Sequence, residues 1–140
     1  MYSANEWDPL KEVVIGNVTN FHMQKLDKVF LHIYGHLRNF QEKSTLSKTY
    51  TIGRKYIAER QEDLNNLEKV LKKHGVKVKR SQKIITKNVI TPTFSSITND
   101  IGCVRDMFLV VGNTIIETPP TDRRRYFEGL GLKQFFFELF

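Results

Sequence analysis

The spacing of apolar residues predicts a strand, a helix and a second strand in the first eighty residues. The run EVVI at 12–15, followed by Gly16, predicts a short buried strand. A helix is predicted over 54–74, where apolar residues recur on one face at Ile57, Leu64, Leu67 and Leu71. Gly75 is placed to end that helix, and the alternating segment VKVKR at 76–80 predicts a half-exposed strand. This order of elements indicates an α/β supersecondary unit.

A further amphipathic pattern covers residues 23–40. Apolar residues follow each other there at three- and four-residue spacing, which predicts a helix with Asn20 as a candidate N-cap. The segment VFLHIY within it would also suit a strand. His32 and His36 stand four apart, a spacing that can hold a metal on a helix, but no third ligand of suitable spacing is evident. No metal site is therefore predicted.

The second half of the chain contains a loop, a hairpin and an aromatic tail. Residues 81–102 are rich in Ser, Thr and Asn and predict a long loop with room for one short strand. Apolar runs at 107–111 and 114–118 flank Gly112-Asn113 and predict a β-hairpin. The tail KQFFFELF at 133–140 carries four phenylalanines, so we expect it to pack on the core or on a partner.

Length and composition fit one soluble domain over 1–140. Forty per cent of the residues are apolar and 26% are charged. No apolar run approaches the roughly 20 residues that span a bilayer, so no membrane partner is expected. The N-terminal residues contain no apolar segment typical of a secretory signal. The single cysteine, Cys103, excludes an internal disulfide and suits a reducing compartment. We therefore expect a cytoplasmic protein.

The net charge of +7 and the pI near 9.6 allow an anionic partner such as nucleic acid. However, lysines and arginines are spread along the chain, and they are dense only at KVKR (77–80) and RRR (123–125). No nucleic-acid-binding motif accompanies them. Solvated basic faces are the favoured interpretation, and a small basic nucleic-acid-binding protein is kept as an alternative.

Three blocks of the sequence resemble one enzyme family. They are NEWDPLKEVVIG (5–16), ERQEDLNNLEKVLKKHGVKVKR (59–80) and CVRDMFLVVGNTIIETP (103–119), the last of which continues to RRRYFE (123–128). In this order they resemble the N-terminal part of the glycine and inosamine amidinotransferases. These enzymes transfer an amidino group from arginine to an amine. Within the blocks, the chain departs from the family pattern at Val104, Pro120, Asp122 and Arg124, where the family commonly has Pro, Met, Trp and Ser.

The resemblance implies a fold and a ligand. The family fold is the pentein, a five-bladed α/β propeller of ββαβ units, so the chain is expected to be an α/β (α+β) protein. It would form a partial pentein of about one and a half units, as a single incomplete domain over 1–140. The implied ligand is arginine or another guanidino compound, and the implied chemistry needs no cofactor.

The resemblance also assigns roles to residues around the Arg-Asp pair. Asp106 matches a carboxylate that faces the guanidinium, and Arg105 matches its structural neighbour. Arg123 and Arg125 match paired arginines that either orient Glu128 or neutralise a substrate carboxylate. A guanidinium is flat and cationic, so carboxylates can fix its plane through charge-assisted hydrogen bonds. Without the surrounding blocks, Arg105-Asp106 would be interpreted as an ordinary surface pair.

The resemblance places the family's nucleophilic cysteine and its histidine beyond residue 140. Cys103 does not match the nucleophile, and because it adjoins an apolar run we interpret it as a small core residue. No catalytic residue is thus expected within these 140 residues, and the chain alone is expected to be inactive. A second chain carrying the missing groups, or a homo-oligomer, would complete the fold. The alternative is a non-catalytic pentein remnant that acts as a binding or interaction module.

Overall fold

The structure, a computed structural model, describes residues 2–5, 7–23, 50–120 and 122–139. Within these ranges the chain forms short strands, two α-helices and three 3-10 helices. The strands are β1 (Glu12–Ile15), β2 (His22–Met23), β3 (Tyr50–Thr51), β4 (Lys77–Arg80), β5 (Asn88–Ile90), β6 (Ser95–Ile97), β7 (Phe108–Val111) and β8 (Thr114–Glu117). The α-helices are α1 (Arg54–Lys73) and α2 (Lys133–Phe137), and the 3-10 helices are Val104–Asp106, Arg123–Arg125 and Glu128–Leu132.

The predicted strand, helix and strand at the start of the chain are confirmed. β1 and β4 pair in parallel from Glu12↔Lys77 to Ile15↔Arg80, and α1 lies between them in sequence. Gly75 has a φ of +78° directly after the helix, a conformation that glycine adopts without the Cβ penalty. No residue of α1 is fully buried, so the helix lies on the surface of this parallel pair.

The end of β1 passes very close to the segment that precedes the hairpin. The backbone N–H of Asn17 donates to the carbonyl of Ile101 at 3.0 Å. A Cβ placed on Gly16 would lie 2.1 Å from the Ile101 oxygen and 2.6 Å from the Gly102 oxygen. Only glycine therefore allows this approach, which brings the residues after β1 beside the turn at Val104–Asp106.

Polar side chains hold the loop that follows β1. Asp100 is fully buried and accepts hydrogen bonds from Thr19 Oγ1 (3.0 Å), Asn20 N (2.8 Å) and Ile84 N (2.7 Å). Its neighbour Asn99 accepts from the backbone N–H of His22 and donates to its carbonyl, both at 3.0 Å. These two side chains therefore replace backbone pairing and fix the path of residues 19–22.

The hairpin and the tail meet at a small apolar core. The predicted hairpin is confirmed, with β7 and β8 pairing from Phe108↔Glu117 to Val111↔Thr114. Ile101, Met107 and Leu132 form the buried cluster, and the partly buried Phe136 packs against it. The ring of Phe136 lies 4.9 Å from that of Phe108, edge to face. The core thus takes up part of the tail, whereas Phe137 is 72% exposed.

One further prediction lies mostly outside the described residues, and the predicted N-cap before it needs correction. Residues 24–40 of the predicted 23–40 helix lie outside the described residues. At its start, His22–Met23 is a strand that pairs antiparallel with Tyr50–Thr51. The candidate N-cap Asn20 instead lies in a turn and donates from Nδ2 to the Ile84 carbonyl at 3.0 Å.

The predicted loop at 81–102 contains a hairpin rather than a single strand. β5 and β6 pair antiparallel from Asn88↔Ile97 to Ile90↔Ser95. Thr91 closes the turn, because its backbone N–H donates to the Phe94 carbonyl at 2.8 Å and its Oγ1 accepts from Phe94 N at 3.0 Å. This turn, which contains Thr91 and Pro92, reverses the chain so that β6 can pair with β5. Among the described helices, none is both long and apolar enough to traverse a lipid bilayer.

Candidate functional site

A cavity of about 420 Å³ opens beside α1, the loop after β1 and the 3-10 helices of the second half. Its apolar wall includes Val18, Phe21, Ile52 and Ile57. Its charged lining consists of three carboxylates and three guanidinium groups, from Asp106, Asp122, Glu128, Arg60, Arg124 and Arg125. Concave sites with an apolar wall and a few convergent polar groups are the usual form of small-ligand sites.

The hairpin fixes Asp106 at the wall of this cavity. Asp106 ends the 3-10 helix Val104–Asp106, and the next residue, Met107, is 1% exposed and belongs to the core. At the base of the hairpin, Thr118 donates from its backbone N–H to the Met107 carbonyl (2.9 Å) and from Oγ1 to the Asp106 carbonyl (3.1 Å). The buried Met107 and the two hydrogen bonds from Thr118 thus hold the backbone around Asp106, while the side chain of Asp106 stays 46% exposed.

Arg125 joins Asp106 to a buried carboxylate. Its Nη1 donates to Asp106 Oδ2 at 2.7 Å. Its Nε lies 3.1 and 3.0 Å from the two carboxylate oxygens of Glu128, and its Nη2 donates to Oε2 at 2.9 Å. Glu128 is only 2% exposed. The planar guanidinium can serve both carboxylates at once, which an ammonium group could not do with the same geometry.

This arrangement shifts the pKa of each of its three groups. The hydrogen bond from Arg125 lowers the pKa of Asp106, so its carboxyl group is ionised at neutral pH. Burial raises the pKa of Glu128, and the contact with Arg125 opposes that effect. Burial disfavours the charge on Arg125, but hydrogen bonds to Glu128 and Asp106 outweigh it and raise the pKa of the guanidinium above its usual value. Arg125 therefore remains cationic.

Asp122 and Arg124 form a second pair in the cavity lining. The Nε of Arg124 lies 2.9 and 2.7 Å from the two carboxylate oxygens of Asp122, and its Nη2 also contacts Oδ2. The backbone N–H of Arg124 donates to Asp122 Oδ1 at 3.0 Å, so Asp122 caps the 3-10 helix Arg123–Arg125. Sequence reasoning treated both residues only as departures from a family pattern. An Asp directly before the RRR run is nevertheless a recognisable N-cap signal.

The structure does not bring Arg123 to the cavity. Its guanidinium lies over the ring of Phe94 at 5.4 Å, and its carbonyl accepts from Ser96 Oγ at 3.0 Å. Residues two apart in a 3-10 helix, with three residues per turn, point in different directions. Arg123 and Arg125 therefore do not lie together at the cavity, and the role predicted for Arg123 in binding substrate stays a prediction. Arg105 does not line the cavity either, but its charge contributes to the lowered pKa of Asp106.

The interpretation of Cys103 as a core residue is wrong. Cys103 is exposed and lines the cavity, because the buried run begins only at Met107, after the 3-10 turn. Partial burial of the thiol and the neighbouring Asp106 raise its pKa. The thiol therefore stays protonated at neutral pH, which does not suit a nucleophile. Within the part of the chain that the structure describes, no group of three or more His, Cys, Asp or Glu side chains could hold a metal ion.

The structure thus shows an α/β protein with a cavity whose lining includes a carboxylate, Asp106, held by Arg125. Comparison with known proteins gives the particular family. No protein-family model matches the chain. The chain is 38% identical over 132 residues to the mitochondrial glycine amidinotransferase of Gallus gallus, covering 90% of this chain and 30% of the relative. It is 32% identical over 138 residues to inosamine-phosphate amidinotransferase 1 of Streptomyces glaucescens, covering 97% and 39%.

Solved structures agree with these relatives. The inosamine-phosphate amidinotransferase of Streptomyces griseus superimposes with a TM-score of 0.85 at 31% identity, over 98% of this chain and 39% of that one. An amidinotransferase of the saxitoxin biosynthetic pathway from Microseira wollei gives a TM-score of 0.79 at 29% identity. The chain belongs to the amidinotransferase family, and it spans between 30 and 39% of the length of these relatives. The mixed α/β fold expected from the sequence is confirmed.

Proposed function

We propose that this chain supplies the guanidinium-binding wall of an amidinotransferase site, with Asp106 as the substrate contact. The observation that carries the proposal is an ionised carboxylate, nearly half exposed to a cavity and oriented by Arg125. A guanidinium ligand can donate two parallel hydrogen bonds to such a carboxylate. Arg125 and Glu128 act as positioning residues, because they set the orientation and charge of Asp106 without needing to touch the ligand.

The proposed ligand is arginine or another guanidino compound. The family relationship supports a reaction in which a cysteine thiolate bonds to the guanidinium carbon. The bond from that carbon to the side-chain nitrogen of the donor then breaks, and the nitrogen leaves as an amine after taking a proton. An acceptor amine next bonds to the same carbon and gives up one proton to a histidine base, the carbon–sulfur bond breaks, and the thiolate is restored. Asp106 would keep the guanidinium plane fixed during both steps.

The nucleophile of this reaction is proposed to lie outside the 140 residues. Cys103 is the single cysteine of the sequence, and its raised pKa keeps the thiol protonated. A further polypeptide segment or a second chain would supply the cysteine and the proton-transferring histidine. It would also extend the present α/β elements, proposed as a single domain of about one and a half ββαβ units, toward a complete pentein. A cytoplasmic location stays a prediction from the sequence.

Calorimetric titration of the 140-residue chain with arginine and with guanidinoacetate tests the binding claim. We expect measurable heat from both ligands. Asp106→Asn should weaken binding about tenfold or more, because a charge-assisted hydrogen-bond pair becomes a neutral contact. Asp63→Asn is the matched control, since Asp63 is an exposed carboxylate on α1 that does not line the cavity.

Two results would contradict the proposal. One is the absence of binding by the wild-type chain, and the other is equal binding by wild type and Asp106→Asn. The transfer claim has a separate test, in which arginine and glycine are incubated with the chain alone and with a complementing polypeptide that carries the cysteine and histidine. Product formation only in the mixture supports the division of the site, whereas turnover by the 140 residues alone refutes it.

A further inference from the structure

Two polar side chains of α1 face the same cavity from the wall of the helix. Tyr56 and Arg60 are four residues apart, so they lie on one face of the helix one turn apart, and both line the cavity. Tyr56 is 69% exposed, and Arg60 is also exposed. Neither side chain makes a hydrogen bond or an ion pair with another residue of the described ranges. No described residue therefore occupies their hydrogen-bond donors.

The charges of the cavity single out Arg60. Arg125 is committed to Asp106 and Glu128, and Arg124 is committed to Asp122. Among the charged groups that line the cavity within the described residues, Arg60 is the cation without a carboxylate partner. A guanidinium bound at Asp106 would be held by a carboxylate, whereas Arg60 would still lack one. Arg60 then leaves one uncompensated positive charge in the cavity.

We infer that Arg60, assisted by the hydroxyl of Tyr56, binds an anionic oxygen group of the substrate. This inference rests on the proposed function and extends it from the guanidinium group of the substrate to an anionic group of the substrate. A guanidinium group can bind a carboxylate or a phosphate in bidentate fashion, and a phenol can donate one further hydrogen bond. The anion could come from the α-carboxylate of arginine or from a carboxylate or phosphate on the acceptor amine. The Arg60 contact would thus select zwitterionic or anionic substrates over simple guanidines.

The test compares arginine with agmatine, which has the same guanidinium and chain but no carboxylate, and uses inorganic phosphate as a second probe. Dissociation constants are measured for wild type and for Arg60→Gln, which shortens the side chain and removes its charge. If Arg60 holds the donor's carboxylate, the variant binds arginine about tenfold more weakly and agmatine with unchanged affinity. If Arg60 holds the acceptor's anion, the variant instead loses about tenfold in phosphate affinity. Either result supports the inference.

Matched variants separate a local contact from a general charge effect. Arg54→Gln removes an exposed arginine from the same helix that does not line the cavity, and it should change no affinity. Tyr56→Phe should weaken binding of the same anion less than Arg60→Gln does. The inference is overturned if Arg60→Gln leaves the affinities for arginine and phosphate unchanged, or if it weakens agmatine binding as much as arginine binding. It is also overturned if Arg60→Gln and Arg54→Gln change these affinities equally.

Failure of this inference can be told apart from failure of the proposed function. Agmatine binding by wild type and its loss in Asp106→Asn report on the guanidinium contact alone. If agmatine binds and needs Asp106 while Arg60→Gln has no effect, the guanidinium site stands and the anion contact is refuted. If agmatine does not bind, the guanidinium site is refuted, and the phosphate titration still decides the role of Arg60.

Discussion

Arg125 Nη1 lies 2.7 Å from Asp106 Oδ2, while Nε and Nη2 of the same guanidinium bind the buried carboxylate of Glu128. Asp106 precedes the β7–β8 hairpin and Arg125 follows it, so this contact joins the two ends of the hairpin. It links the partly exposed carboxylate of Asp106 at the cavity wall to the buried carboxylate of Glu128. The orientation of the candidate substrate contact therefore depends on the fold behind it.

Arg125→Lys should destabilise the protein although it conserves the charge. A lysine ammonium cannot reproduce the planar set of donors that reaches both carboxylates, so the buried Glu128 loses part of its hydrogen bonding. We expect a loss of about 1–3 kcal/mol in the free energy of unfolding, measured by urea denaturation. Arg123→Lys is the matched control from the same 3-10 helix, and its effect should stay within about 0.5 kcal/mol. Equal losses for the two variants would contradict the bridging role of Arg125.

Guanidinium binding should be insensitive to pH until well into the acid range. Arg125 lowers the pKa of Asp106, so the carboxylate is present above the ordinary aspartate value and is lost only as pH falls through the lower folded-state value. Arginine affinity should therefore be flat between about pH 8 and pH 5 and decline below about pH 4. The carboxyl carbon resonance of Asp106 reports its titration directly by NMR. In Arg125→Lys the midpoint should move to higher pH, and an unchanged midpoint would refute the assigned cause.

Glu128 should show the opposite pH linkage. Burial raises its pKa in the folded state, so the folded protein binds this proton more readily than the unfolded chain does. The contribution of Glu128 to stability therefore grows as pH falls from above the raised folded value to below about pH 4.3. Glu128→Gln removes this contribution. The difference in unfolding free energy between wild type and the variant should change with pH in that direction, and a constant difference would contradict it.

Local sequence patterns were sufficient where neighbouring residues decide the structure. The apolar face of 54–73, the glycine at 75 and the Gly112-Asn113 turn each carry their own signal, and the corresponding helix, helix end and hairpin are confirmed. The resemblance likewise identified the family before any geometry was known. Asp106, Arg125 and Glu128 were assigned by position in a motif, and the structure places them in one hydrogen-bonded group at the cavity.

Features that depend on distant contacts were missed. β2 pairs with β3 across an intervening segment of 26 residues outside the description, and nothing local in His22–Met23 specifies that partner. No sequence pattern singled out Arg60, because its position at the cavity depends on how α1 lies against the loop after β1. Cys103 was misplaced for the same reason. Burial is a property of the packed fold, and an adjacent apolar run does not determine it.

Gly16→Ala should be strongly destabilising. Its Cβ would lie 2.1 Å from the Ile101 oxygen, so the backbone of β1 or of the segment before the hairpin must move. We expect a loss of at least about 3 kcal/mol in the free energy of unfolding, at the upper end of the usual cost of overpacking. Gly53→Ala is the control, since its Cβ would meet only the Tyr56 ring at 3.5 Å. It should change stability by less than about 1 kcal/mol. Similar effects for both variants would argue against the close approach.

Asp100→Asn should destabilise the loop that forms one side of the cavity. Asp100 is fully buried and accepts hydrogen bonds from Thr19 Oγ1, Asn20 N and Ile84 N. In the asparagine variant, an amide NH2 group replaces one acceptor oxygen and faces one of these donors, so a hydrogen bond is lost. The expected cost is about 1–3 kcal/mol in the free energy of unfolding. Because Val18, Phe21 and His22 line the cavity from this loop, the variant should also weaken arginine binding at temperatures where it remains folded. Asp63→Asn provides the exposed control, and an equally small effect of both substitutions on stability would refute the role given to Asp100.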